Sequence, residues 1–303
     1  MELLGKTRID FIGKRKISFI ISAIISIVGI IGVIQVGRGA ANMGIDFSGG
    51  TAMQLKFSKP ILIADARAAL HNNGIAKADL QEIKDSNKLL VKMAGATVGK
   101  SSEMVQAAFK KEFADNAFTV ESSTEIGPSI GNKLRKDTLI AAVISMLGII
   151  MYIAWRFDFK FGVGATCATI HDCLAMFAVF YLMNKEINLL FITAVLTIAG
   201  YSLTDTVVVF DRIRENLHKN LKGSMNTVFN DSINEVLSRT IVTSLTVVLA
   251  ASSLFFFGGE VIHDFSLALL IGVLVGTYSS VFVASPIVVL LENRAVAKKV
   301  KTV

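Results

Sequence analysis

Residues 187–210 read INLLFITAVLTIAGYSLTDTVVVF and carry one charged side chain, Asp205. As an α-helix, a run of this length rises about 36 Å, enough to cross the roughly 30 Å hydrocarbon layer of a bilayer. Five further runs have the same character: Ile17–Val36, Thr138–Trp155, Phe161–Met183, Thr240–Phe257 and Phe265–Leu291. The composition agrees, with 52% hydrophobic residues in a 303-residue chain and a mean hydropathy of +0.59. A soluble core has no room for so much apolar sequence, so soluble and secreted enzyme classes are excluded. The reading is an α-helical polytopic membrane protein with six transmembrane helices. The first run follows a basic start, as a signal peptide would, but it is long for one and lacks a small-x-small cleavage site. We therefore expect an uncleaved anchor.

The net charge of +7 is distributed as topology requires. Short segments on one side hold Lys6, Arg8, Lys14, Arg15 and Lys16, then Arg156 and Lys160, then Arg212, Arg214, Lys219, Lys222 and Arg239, then Arg294, Lys298, Lys299 and Lys301. The opposite short loops hold Lys185 alone. Basic residues favour the cytoplasmic side, so both termini are expected there, with a tail at 1–16, a first helix at 17–36 and a second tail at 292–303. The charge is orientation rather than a nucleic-acid patch, and no nucleic-acid partner is expected.

Residues 37–137 then lie outside and have the size of a small domain. Thr51–Phe57 alternates like a strand, Leu62–Asn72 has helical spacing before Asn73-Gly74, and Leu80–Ile83 and Leu89–Met93 flank a turn at Asp85-Ser86-Asn87. Ser102–Phe113 is again helical, and Phe118–Ile126 reads as a last strand. The order βαββαβ is that of an α+β ferredoxin-like fold, with two helices on one sheet face and the other face free for a partner. At its start, GIDFSGG (Gly44–Gly50) is a structural elbow. Gly44, Gly49 and Gly50 allow a tight bend, and Asp46 is placed to cap the turn. The remaining stretch, 138–291, is a five-helix bundle interrupted at 211–238 by a charged amphipathic segment, expected to lie along the cytoplasmic interface.

Ionisable groups within spans cost about 2.5–3.5 kcal/mol at the bilayer centre on insertion scales, so each requires a reason. Asp205 needs a partner. Arg239 enters the bilayer from the same side, with Thr243 and Thr246 on its face at i+4 and i+7, so an Asp-Arg-Thr cluster is expected. Paired, the carboxylate stays ionised; separated, it takes up a proton, which outlines a proton switch. The alternative is a carboxylate that only ties helices together and an arginine that snorkels to headgroups. His171 and Asp172 lie mid-span and serve either as a helix tie or as a proton relay. Gly162, Gly164 and Ala165, and the Gly272/Gly276 pair, mark close helix packing. Cys167 and Cys173 read as small buried hydrophobes, with no metal-ligand company and no disulfide framework. No phosphate loop and no intramembrane protease motif occurs, so any work done draws on the membrane gradient and not on ATP.

GIDFSGGT at Gly44–Thr51, A-x-x-H-D at Ala168–Asp172, GYSLTDTVVVFDRIREN at Gly200–Asn216, RTIVTS at Arg239–Ser244 and FGG at Phe257–Gly259 together resemble the SecF family. SecF proteins are the smaller partners of SecD in the resistance-nodulation-division superfamily. The resemblance implies a subunit beside the SecYEG translocon that uses the proton gradient, together with SecD, to move preproteins outward, without a cofactor or metal. It assigns proton coupling to Asp205, Arg239 and Thr243 and leaves His171 and Asp172 secondary. Full exporters of the superfamily have twelve spans, so a partner supplying six more is expected. Two rivals remain: half of a small-molecule or lipid exporter, and a scaffold for which Asp205 is dispensable.

Overall fold

The computed structural model describes residues 7–75, 78–83, 87–94, 100–219 and 224–301. The chain divides into two units. One comprises the segment ending at Asn42, Ala142–Lys185 and Leu190 onward; the other is Met43–Ala141 with Glu186–Leu189.

The second unit is the α+β domain. After the spanning helix α1 (Arg15–Gly37), the domain begins with the one-turn helix α2 (Ile45–Ser48) and β1 (Gly50–Phe57). It continues through α3 (Ile63–Asn72), β2 (Asp79–Ile83), β3 (Lys88–Ala94), α4 (Lys100–Glu112) and β4 (Phe118–Ile126). The sheet order is β2-β3-β1-β4 and every pairing is antiparallel. The βαββαβ reading therefore holds, because strict alternation puts Met53, Leu55 and Phe57 on one face, where all three are buried. They meet Ala66 and Leu70 of α3 and Val105 and Phe109 of α4 in one core. Burying a Phe or Leu side chain contributes about 1.5–3 kcal/mol, so this core carries the domain. β4 is an edge strand and is largely exposed. Of the expected hairpin turn, Asp85 and Ser86 lie outside the described residues, while Asn87 has φ 51° and immediately precedes the return strand.

The elbow differs from expectation in one respect. Gly49 and Gly50 have φ of 68° and 143°, and a β-carbon on Gly50 would lie 2.1 Å from the Met93 carbonyl oxygen, so only glycine fits. Asp46, however, does not cap its own turn. Its Oδ2 accepts from the backbone N–H of Leu189, 3.1 Å away at the start of a spanning helix. That donor is one of the unsatisfied N–H groups every helix start exposes.

Among the described residues, six helices are long and apolar enough to cross a membrane. They are α1, α5 (Pro128–Arg156), α6 (Phe159–Leu182), α7 (Leu189–Lys219), α8 (Met225–Phe257), and a last one formed by α9 (Glu260–Ser279), a π-helical turn (Ser280–Ala284) and α10 (Ser285–Lys301). α5 begins at Pro128, ten residues before the hydropathy boundary at Thr138, because proline suits the first helical turn and the charged stretch Lys133–Asp137 does not hinder a helix. The segment 211–238 is not a separate interfacial helix. Asp211 to Lys219 continue α7, and α8 starts at Met225, capped by the Ser224 hydroxyl, with residues 220–223 outside the described set. The two extensions interlock through Asn216 Nδ2 to Ser232 Oγ (3.0 Å) and to Glu235 (2.9 Å), and through the Arg212–Glu235 ion pair.

An N-terminal strap closes this end of the bundle. Phe11 and Ile12 are buried with Phe210, Phe229 and Ile233, and their backbone N–H groups both donate to Asn230 Oδ1 at 3.0 Å. One turn on, Asn234 exchanges two hydrogen bonds with the backbone of Ile9. Asp10 accepts from the Gly13 N–H and from Asn230, which holds its carboxyl below the ordinary range. The expected basic residues Lys6 and Lys222 lie outside the described residues.

Candidate intramembrane polar site

α7 and α9 form a seam lined by small and hydroxyl residues. A β-carbon on Gly276 of α9 would lie 2.9 Å from Cβ of Ser202 on α7, and one on Gly272 would lie 2.5 Å from Ile198. The Gly272/Gly276 pair is thus a packing groove, as expected. Because the helices meet so closely, the hydroxyls along them are buried and must find partners within the protein. Thr206 Oγ1 bonds Ser280 Oγ at 2.9 Å, and Ser280 in turn donates to the Gly276 carbonyl.

Two carboxylates flank this seam. On the side of α8, Asp205 is 7% exposed and accepts from Ser244 Oγ at 3.5 Å; Ser244 also bonds Thr277 Oγ1 of α9 at 2.6 Å. The Thr243 side chain lies within hydrogen-bonding reach of the Asp205 carboxylate and the Arg239 charge acts on it from further off, yet no ion pair joins Asp205 to Arg239 among the described residues. Arg239, Thr243 and Thr246 form an exposed stripe on α8, and Thr243 Oγ1 donates to the carbonyls of Arg239 and Thr240. Of the expected cluster, Thr243 is at Asp205 while Arg239 is not joined to it by an ion pair. Ser244, which the spacing argument did not single out, supplies a further contact.

On the side of α6, Asp172 is fully buried. Its Oδ2 accepts from Ser202 Oγ at 2.5 Å and from Ser279 Oγ at 2.8 Å, and its Oδ1 lies 3.1 Å from Nδ1 of His171. The His171 ring stands 6.0 Å from that of Tyr278, whose hydroxyl reaches Ser22 Oγ and the Ser18 carbonyl of α1. α1 approaches α6 closely here, since a β-carbon on Gly29 would lie 2.2 Å from the Leu174 carbonyl oxygen. His171 and Asp172 thus do face one cluster, although neighbours on a helix point about 100° apart. Ser202, Ser279 and Tyr278 escaped sequence reasoning because serine and tyrosine are ordinary in spanning helices. Only the placement of consecutive hydroxyls beside the Gly272/Gly276 groove hinted at them. Cys167 is exposed and Cys173 partly so, which corrects the expectation that both are buried hydrophobes. Among the described residues, no set of His, Cys, Asp or Glu is arranged to hold a metal.

Six spanning helices with ionisable groups gathered in a hydroxyl-lined interior, and an α+β domain inserted after the first, define a multi-pass membrane transport protein. The sequence profile of the protein export membrane proteins SecD/SecF, C-terminal region, matches residues 105–294, and that of the SecD/SecF GG motif matches residues 41–61. The chain belongs to the SecD/SecF family of protein export membrane proteins. The protein translocase subunit SecF of Thermodesulfovibrio yellowstonii is 52% identical over 301 residues, covering 99% of this chain and 100% of that protein. SecF of Calditerrivibrio nitroreducens is 38% identical over 299 residues, 97% of each chain. The crystal structure of SecDF, a translocon-associated membrane protein from Thermus thermophilus, matches 95% of this chain with a TM-score of 0.82 and 34% identity. This chain spans 39% of that one.

Proposed function

We propose that the chain works as the SecF-type subunit of the protein translocase, assisting preprotein export across the cytoplasmic membrane together with SecD and beside the SecYEG translocon. Its work is driven by protons through Asp205, Arg239 and Thr243, with both termini cytoplasmic and the ferredoxin-like domain, entered through the Gly44–Gly50 elbow, outside. The observation that carries the proton role is a buried carboxylate whose hydrogen-bond partners, Ser244 and Thr243, are neutral hydroxyls, with an arginine close by but not joined to it. Such a group can be held in either of two states. Ionised, it draws Arg239 in; protonated, it releases it. One charge moved across 100 mV supplies about 2.3 kcal/mol, enough to bias such a pair.

The test is preprotein translocation into energised inverted vesicles carrying Asp205→Asn, which keeps shape and removes titration. Loss of the gradient-dependent component, with ATP-driven initiation intact, is the expected result. Unchanged translocation rejects proton coupling through Asp205.

A further inference from the structure

We propose that His171 and Asp172 form a second proton-binding site, on the α6 side of the seam that carries Asp205 on its α8 side. The inference rests on the proton-driven reading above and adds a site which that reading does not require.

The argument starts from charge. Asp172 is fully buried, and the donors to its Oδ2, Ser202 and Ser279, are neutral. The titratable groups beside the pair are Cys173 of the same helix and Tyr278 of α9, while α7, which supplies Ser202, carries Tyr201 and Asp205 on either side of that residue. α1 packs against it with no charged residue between Lys16 and Arg38, and Glu292 of α10 is engaged by Lys160. Among the described residues, no lysine or arginine pairs with Asp172. A bare carboxylate there places a net negative charge in the membrane interior, which is heavily penalised. One proton on the pair removes that charge. The two hydroxyls occupy Oδ2, so the proton lies on the Oδ1 to Nδ1 contact, held by the carboxyl or the imidazole.

The second observation is that His171 Nε2 is buried and has no hydrogen-bond partner. Buried ring nitrogens are normally satisfied, and an orphan marks a place where water or a proton is received. The third is the π-helical turn, a feature that often accompanies functional sites. Immediately before and at its first residue, consecutive hydroxyls serve different partners: Ser279 turns to Asp172, while Ser280 meets Thr206 of α7. Two residues earlier, Thr277 meets Ser244, the donor to Asp205. One helix segment therefore touches the donors of both carboxylates, and occupancy of one site alters the hydrogen bonds that hold the other.

The test is a pH titration of the full chain in lipid vesicles followed by infrared difference spectroscopy of protonated carboxyl groups. The expected result is a carboxyl band that is lost in Asp172→Asn and kept in Asp205→Asn, with a midpoint that moves in His171→Gln and in Ser279→Ala. If Asp172→Asn fails to fold, the two latter variants decide. Bands unaltered by Asp172→Asn, or a midpoint indifferent to both other variants, overturn the proposal. The spectrum is recorded without translocation, so a failure of coupling at Asp205 shows in the vesicle assay and a failure of this proposal shows in the spectrum.

Discussion

Gly276 and Gly200 differ in what a methyl group would meet, and the difference makes a paired prediction. On Gly276, a β-carbon lies 2.9 Å from Ser202 Cβ and 3.0 Å from its hydroxyl, whereas on Gly200 it meets nothing within 4 Å. Overpacking of this kind costs about 1–3 kcal/mol, so Gly276→Ala should lower the thermal unfolding midpoint in detergent. Gly200→Ala should leave it unchanged or raise it slightly, since alanine is the better helix former by roughly 0.8–1 kcal/mol. On the domain, Glu121 is hydrogen-bonded by Lys88 (2.7 Å) and by Gln54, and these contacts hold its carboxyl below the ordinary range. A depressed carboxyl stabilises the fold above its unfolded pKa and loses that contribution as pH falls through its folded pKa. Acidification should therefore weaken amide-exchange protection in β3 and β4, corrected for intrinsic rates, and Lys88→Met should abolish most of that pH dependence. At this scale the sequence identified Asp205 and Asp172 as costly but not their donors. A carboxylate within an apolar run is conspicuous on its own, whereas Ser244, Ser202 and Ser279 acquire meaning only when three helices meet.

Among the elements, the N-terminal strap is the one whose importance was least legible. Asn230 and Asn234 sit in a charged, amphipathic stretch that reads as an interfacial helix, and nothing local indicates that they hold residues more than two hundred positions earlier. The start and stop signals that delimit a helix are local, while the reason α7 and α8 extend past their apolar stretches is the interlock of Asn216, Ser232 and Glu235. By contrast, the four strands were legible nearly to the residue, because period-two alternation follows directly from strand geometry. Replacing Asn230 with Ala removes the acceptor for two backbone N–H groups and the donor to Asp10. Leaving such groups unmet costs about 1–3 kcal/mol. We expect faster amide exchange at Phe11 and Ile12, with exchange in the domain strands unaffected.

For the molecule as a whole, the contrast among its helices is informative. About half of the apolar stretch of α6 and of α7 is buried, but those of α5 and α8 are largely exposed. The polar stripe Arg239, Thr243 and Thr246 lies on the second of these, facing outward. A surface that joins apolar and cationic residues within the bilayer is suited to other helices rather than to lipid alone, in keeping with the missing half expected from the twelve-span exporters. Co-expression with a six-span SecD partner should raise the thermal unfolding midpoint, and cysteines placed on α8 at Thr243 should lose lipid-phase labelling in the complex. Six spans and an inserted domain were legible because hydropathy and charge asymmetry act along the chain. The uncovered faces were not, since a helix that is apolar all round reads the same in lipid or against a neighbour. The contact of Gly29 with Leu174 bears on how the protein is made. The two residues are roughly 145 positions apart, and at elongation speeds of about 5–20 residues per second the first waits roughly 7–30 s for the second to leave the ribosome. During that interval the grooved face of α1 stands unmatched in the bilayer while the entire domain is synthesised, so a membrane chaperone or the insertion channel itself has a window in which to shelter it.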